Sequence, residues 1–190
     1  MPARARVTRE MVVEAAFAVV RETGAEDMNA RTVAERLHCS TQPVMYQFAT
    51  IDELRRAVYA KADLYHSDYL MDLKAPADGA MLGIGMNYIR FAIEEPRLFR
   101  FLFQSDSFGG KTLPELIDAG ALTPVLSAMQ GALGLGMEQT KAVFLTVFLF
   151  AHGYASLIAN NALRCDEAAI RAQLEQAYRG AIMAAREDRP

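Results

Sequence analysis

Catalysis and metal binding need nucleophiles, acids and imidazole or thiolate ligands in fixed groupings. This chain offers few: three histidines, His38, His66 and His152, and two cysteines, Cys39 and Cys165. Only Glu35 and His38 have Glu-x-x-His spacing, whereas a carboxylate di-iron bundle uses two such pairs plus further glutamates. Cys39 falls in an expected turn and Cys165 follows Arg164 at a helix boundary, so neither reads as a nucleophile, and no disulfide framework is expected. Gly110, Lys111 and Thr112 match the end of a phosphate-binding loop, yet Ser105 stands where its first glycine belongs and no strand precedes it. These residues point to no enzyme, no catalytic residue, no metal and no cofactor.

A different chemistry is offered by "HCSTQPVMYQFATIDEL", residues 38–54. Ser40 can cap a helix that opens with Thr41, Gln42 and Pro43, where N–H groups have no partner inside the helix and a proline costs little. Val44, Met45 and Phe48 are expected to be buried, which leaves Thr41, Gln42, Tyr46 and Gln47 outside. Gln42 or Gln47 can pair with adenine in a major groove, and Thr41 and Tyr46 suit a phosphate or a thymine methyl. On spacing alone, an αα corner with solvated polar residues accounts for the pattern equally well.

The elements that would hold this tip are helical, and no stretch alternates convincingly with period 2, so the fold class is all-α. A first helix is expected from residue 8 to 22, capped by Thr8 and stopped by Thr23 and Gly24, with Met11, Val12, Ala15, Ala16, Val19 and Val20 as its apolar stripe. Asn29 caps a short second helix through residue 37 that buries Val33, Ala34 and Leu37. His38 and Cys39 make a tight turn before the third. The net charge is −3 and argues against a strongly basic nucleic-acid binder. Its distribution is more favourable: residues 1–60 balance eight Arg against eight acids, with Arg4, Arg6 and Arg9 preceding every acid, and the later residues carry the whole excess of acid.

Residues 8–54 resemble the DNA-binding domain of the TetR/AcrR family of transcriptional repressors. The resemblance rests on the apolar first helix ending at Gly24, on "VAERLHCS" at 33–40, and on "VMYQF" with "IDEL" from 44 to 54. It implies a helix-turn-helix that reads operator DNA with Ser40, Thr41, Gln42, Pro43, Tyr46 and Gln47, supported by Arg6, Arg31 and Thr32. Family members often carry Gly in the turn where His38 stands, and His tolerates the left-handed region better than most residues. Many carry a Lys at the start of the fourth helix where this chain has Ile51, so Arg6, Arg31 and the helix ends must supply more of the phosphate contact.

The remaining chain reads as a helical regulatory region, giving an expected division into residues 1–54 and 55–190. A fourth helix runs from residue 51 to about 71, with Leu54, Val58, Ala62 and Tyr65 at helical spacing. A break follows at 74–79, and a fifth helix ends before Pro96, which opens "PRLFRFLF". "NYIRFAIEEPRLFRFLF" and "FAHGYASLIANNAL" resemble the regulatory domain of one branch of the family. Tyr88, Phe91, Phe103, Met129, Phe148 and His152 are the candidate ligand-binding residues, suited to an apolar or aromatic effector, although the same residues serve equally as core.

Residues 142–163 contain no formal charge, long enough to span a bilayer. His152, Ser156 and Asn160 form a polar stripe on that helix, which favours burial inside protein instead. The C-terminal helix, about 166–185, presents Ala169, Ala172, Leu174, Ala177, Tyr178, Ala181, Ile182 and Ala185 on a broad small-residue face. Together the two helices can form half of a four-helix interface, the homodimer that the resemblance implies. The expectation is a cytoplasmic, ligand-responsive transcriptional regulator, a repressor that binds a palindromic double-stranded DNA operator as a homodimer without any membrane partner, and is released by a small-molecule effector. The alternative is a helical enzyme or metal-binding bundle.

Overall fold

A computed structural model describes residues 6–72, 79–105, 109–120, 122–161 and 163–187, and among them every regular element is helical. Arg4 and residues 74–78 of the expected break lie outside the described residues. The order is α1 (Arg9–Glu22), α2 (Ala30–Arg36), α3 (Thr41–Gln47), α4 (Ile51–Met71), α5 (Ala80–Glu94), α6 (Pro96–Phe103), α7 (Leu113–Asp118), α8 (Thr123–Leu133), α9 (Met137–Asn161) and α10 (Glu167–Glu187), with a 3-10 turn at Ala25–Asp27. The chain forms two compact units, one of residues up to Asp68 with Glu95–Ser105, the other of Tyr69–Glu94 with the residues after 105. Packing thus draws most of α4 and all of α6 to the N-terminal helices, so the compact units do not divide at the expected boundary at residue 54.

In the first unit the helix ends follow local cap chemistry. The Thr8 hydroxyl accepts from the Met11 N–H at 3.2 Å, and α1 ends at Thr23 before Gly24, whose φ of 117° lies in a region open chiefly to glycine. Asn29 accepts from the Arg31 and Thr32 N–H groups while the Thr32 hydroxyl accepts from the Asn29 N–H, a reciprocal capping box. His38 has φ 51°, so the turn keeps its left-handed residue without a glycine. α3 then packs on α1 and α2 through Val44 and Phe48, both fully buried.

Three expectations about faces are corrected here. Met45 was expected in the core and is 40% exposed, because α3 is two turns long and its single line of contact, Val44 to Phe48, leaves the next position turned about 100° away. Leu37 is half-buried rather than buried, since it ends α2 as the C-cap. The buried line of α4 is Leu54, Val58, Ala62 and His66, in regular i, i+4 steps, and Tyr65 sits at its edge.

Pro96 opens α6 at its first turn, where no N–H is missed, and Leu98, Phe99, Phe101 and Leu102 are buried, with α6 packed on α1. The α6 N-cap, Glu95, is buried and accepts hydrogen bonds from the Arg21 guanidinium and from the Tyr65 hydroxyl at 3.1 Å. Three helices of the first unit, α1, α4 and α6, are thereby tied at one carboxylate.

In the second unit α9 is central, packed on α5, α8 and α10, and α5 also packs on α10. Thr140, Val143, Val147, Ala151, Ala155 and Ile158 form its buried stripe at steps of three and four. Gly85 of α5 lets α10 approach closely: a Cβ built there would stand 2.9 Å from a Leu174 methyl. By length and composition α9 could cross a membrane, but a core helix packed on three neighbours passes the same test.

Candidate functional site

The α2–α3 turn and the solvent side of α3 carry the polar tip expected from the sequence. Thr41 and Gln42 are exposed and Tyr46 is 76% exposed, with Val44 and Phe48 anchoring the opposite side of the helix. Ser40 occupies the N-cap position, but its side chain makes no capping hydrogen bond, so its hydroxyl is available to another acceptor or donor. Pro43 is half-buried in the first turn.

Gln47 is held differently from its neighbours. Its side-chain amide donates to the Val7 carbonyl at 2.9 Å and its own carbonyl accepts from Arg9 Nη1 at 2.7 Å. The residue is half-buried and pins the segment before α1 to the end of α3, which withdraws it from the free edge formed by Thr41, Gln42 and Tyr46. Arg9 is equally committed: Nη2 donates to Glu53 at 2.9 Å and the guanidinium lies 3.8 Å from the centre of the Phe48 ring. That ion pair, followed by the Ala49 N–H, holds the Glu53 carboxyl below its ordinary value.

The arginines sort into engaged and free. Arg31 pairs with Glu35 at 3.0 Å and Arg36 with Glu22 at 2.5 Å, the latter holding the Glu22 carboxyl below its usual range. Arg31 is nevertheless highly exposed and its pair is an open i, i+4 contact, which exchanges readily with other partners. Thr32 spends its hydroxyl on the capping box and on the Asp27 carbonyl at 2.7 Å. Arg6, by contrast, has no hydrogen bond or ion pair among the described residues.

Arg6 borders a hollow of about 480 Å³ together with His38, Ser40, Pro43 and Tyr46. His38 enters the sequence reading as a turn residue and for its spacing from Glu35; the fold adds that it lines the same hollow as Arg6. The signal was present in the position itself, since a turn residue preceding the N-cap of an exposed helix must project at the helix tip.

Of the candidate ligand-binding residues, three converge in the second unit. The Tyr88 hydroxyl lies 2.9 Å from His152 Nδ1, the Phe148 ring stacks on His152 at 5.6 Å, and Tyr88 meets Phe148 edge-on at 5.7 Å. Burial pushes the Tyr88 phenol well above its ordinary value and pulls the His152 imidazole below its own, so both groups are neutral near pH 7. Phe91 is fully buried with its ring 5.3 Å from Tyr69, and Met129 is buried on α8. Phe103 belongs to the first unit, where its ring meets His66 at 5.1 Å.

Among the described residues the chain is all-helical, with a helix-turn-helix near its start followed by a set of longer helices. The family described as "Tetracyclin repressor-like, C-terminal domain" matches residues 81–180, just over half of the chain, and the chain belongs to the TetR family. Among solved structures, a transcriptional regulator from Rhodococcus sp. Rha1 is similar with 20% identity, covering 92% of this chain and 97% of that one at a TM-score of 0.65, which speaks for a shared fold. The multidrug binding protein EbrR, complexed with imidazole, matches with 20% identity over 89% of this chain and 93% of that one at a TM-score of 0.46. No curated protein matches the chain.

Proposed function

We propose that this regulator is a ligand-responsive repressor whose residues 1–54 bind a palindromic operator as part of a homodimer, and whose residues 55–190 bind a small, largely apolar effector that releases it. The observation that carries the reading is the free polar edge of α3: Thr41, Gln42 and Tyr46 are exposed on a helix anchored from behind by Val44 and Phe48. Side chains displayed on a short rigid helix can be presented to base edges with little loss of conformational freedom.

Dimerisation is supported by α9, whose buried stripe is opposed by exposed Leu149, Gly153 and Leu157 at i, i+4 and i+8. A Cβ on Gly153 would meet nothing within 4 Å, so a second helix has room to approach there, and α10 adds the exposed Met183. An apolar line of this kind is what a partner helix covers. For the effector, the Tyr88–Phe148–His152 cluster offers aromatic surface with one neutral hydrogen-bonding pair. Such a regulator acts where the DNA lies, in the cytoplasm.

The test is fluorescence anisotropy with promoter-derived duplexes, using circular dichroism to verify folding. Gln42→Ala is expected to cost about 1 to 3 kcal/mol on the operator and to relax preference at one base pair. Arg6→Ala is expected to weaken binding to all duplexes alike and to flatten its salt dependence. Unchanged operator binding by the Gln42 and Tyr46 variants would remove α3 from the role of reader.

A further inference from the structure

We propose that the hollow at the α2–α3 turn seats a DNA backbone phosphate held jointly by Arg6 and His38, and that this makes DNA affinity depend on the protonation of His38. The inference rests on the reading of α3 as DNA-facing and adds to it a phosphate contact from a residue not otherwise assigned to DNA.

The lining of the hollow is suited to an anion. Its lining residues include Arg6, His38, Ser40 and Tyr46, and no Asp or Glu is among them. Its other titratable member is the Cys39 thiol. Among the acids on the adjoining elements, Glu35 of α2 pairs with Arg31 and Glu14 of α1 with Lys61 at 2.5 Å, while Glu10 borders a neighbouring hollow that shares Met11 and Leu37 with this one. Glu53, at the start of α4, is held by Arg9.

Arg6 and His38 are the two members able to carry positive charge, and neither side chain has a hydrogen bond or ion pair among the described residues. Arg9, Arg21, Arg31 and Arg36 of the same unit are by contrast engaged with carboxylates. The left-handed backbone of His38, φ 51°, is fixed by its N–H donating to the Glu35 carbonyl at 3.1 Å and by the Cys39 N–H donating to Ala34 at 3.0 Å. The imidazole is therefore displayed from a hydrogen-bonded turn, and its side chain is exposed.

A backbone phosphate carries a single negative charge throughout the relevant pH range. Neutral imidazole can give it one N–H but no charge, whereas imidazolium gives a charge-assisted hydrogen bond and displaces one more counterion. Histidine is the side chain that changes charge between pH 5 and 8. An imidazolium at this position holds phosphate more tightly than a neutral imidazole, so affinity rises as pH falls.

Because phosphate contacts do not depend on sequence, the probe is a mixed-sequence duplex of about thirty base pairs, titrated by anisotropy at about pH 5.5 and pH 8 over a salt series. The unmodified protein is expected to bind roughly tenfold tighter at the lower pH, with a log–log salt slope steeper by about 0.9 for each engaged head. His38→Asn keeps a residue tolerant of the left-handed backbone and is expected to lose both differences. His38→Arg is expected to show the tight, steep behaviour at both pH values. If His38→Asn binds the duplex with the full pH and salt response, the proposal is overturned while the DNA reading stands. If no variant binds duplex at either pH, both fall together. His38-dependent binding of inorganic phosphate alone, without effect on duplex affinity, would likewise overturn it.

Discussion

Acid should destabilise this protein through His66 before its carboxylates titrate. His66 is 6% exposed on the buried line of α4, and desolvation lowers its imidazole from 6.5 to about 4. The unfolded chain therefore takes up a proton from pH 6.5 downward while the folded chain resists until about pH 4. Stability contributed by the neutral buried ring is fully present above pH 6.5, falls by about 1.4 kcal/mol per pH unit inside the window, and is lost by about 3 kcal/mol in total. Between pH 8 and pH 5 the loss is about 2 kcal/mol by the same linkage.

His66→Leu removes the titration and exchanges a ring edge against Phe103 for an aliphatic contact, which adds an offset independent of pH. Urea unfolding followed by circular dichroism at pH values from about 8 to 5 should give a curve for the variant flatter by about 2 kcal/mol across that range. Glu22, Glu53 and Glu115 have lowered values and lose their stabilisation only at more acid pH. His152 shifts in the same direction as His66 but is present in both proteins, so it cancels in the difference. Parallel curves for the two proteins would refute the assignment.

Three further substitutions probe packing and assembly. Gly85→Ala places a methyl 2.9 Å from the fully buried Leu174 and should lower stability by about 1 kcal/mol or more, read as a fall in melting temperature. Asn29→Ala removes the acceptor of two N–H groups at the start of α2 and should cost about 1 kcal/mol in denaturant unfolding. Ala177→Glu on α10 should dissociate or unfold the proposed dimer; a clean, stable monomer of the unmodified protein by light scattering would instead refute dimerisation through α9 and α10.

Helix ends were legible in the sequence because caps are local chemistry: Thr8, Gly24, Asn29 and Pro96 each act on groups within four residues. Faces were less so. Met45 and Tyr65 each lie one position from a truly buried residue, and only the neighbouring helices decide which of two adjacent positions is covered. Long-range ties left no pattern at all: the hydrogen bond from Gln47 to Val7 spans forty positions, and the Arg21–Glu95 pair joins α1 to the start of α6. The same limit applies to the aromatic candidates, where Tyr88, Phe148 and His152 converge but Phe103 packs in the other compact unit. Spacing along a helix says which residues share a face, not which helix meets it.

The central claim is that this chain recognises a specific DNA sequence through α3 as a twofold pair. Selection of bound duplexes from a random-sequence pool, run in parallel with the unmodified protein and with Gln42→Ala, tests it most directly. The expected result is enrichment of an inverted repeat whose half-sites are about one or more helical turns apart, with Gln42→Ala relaxing the same base position in each half. A pool that shows no enriched sequence, or an enriched sequence identical for both proteins, would contradict it.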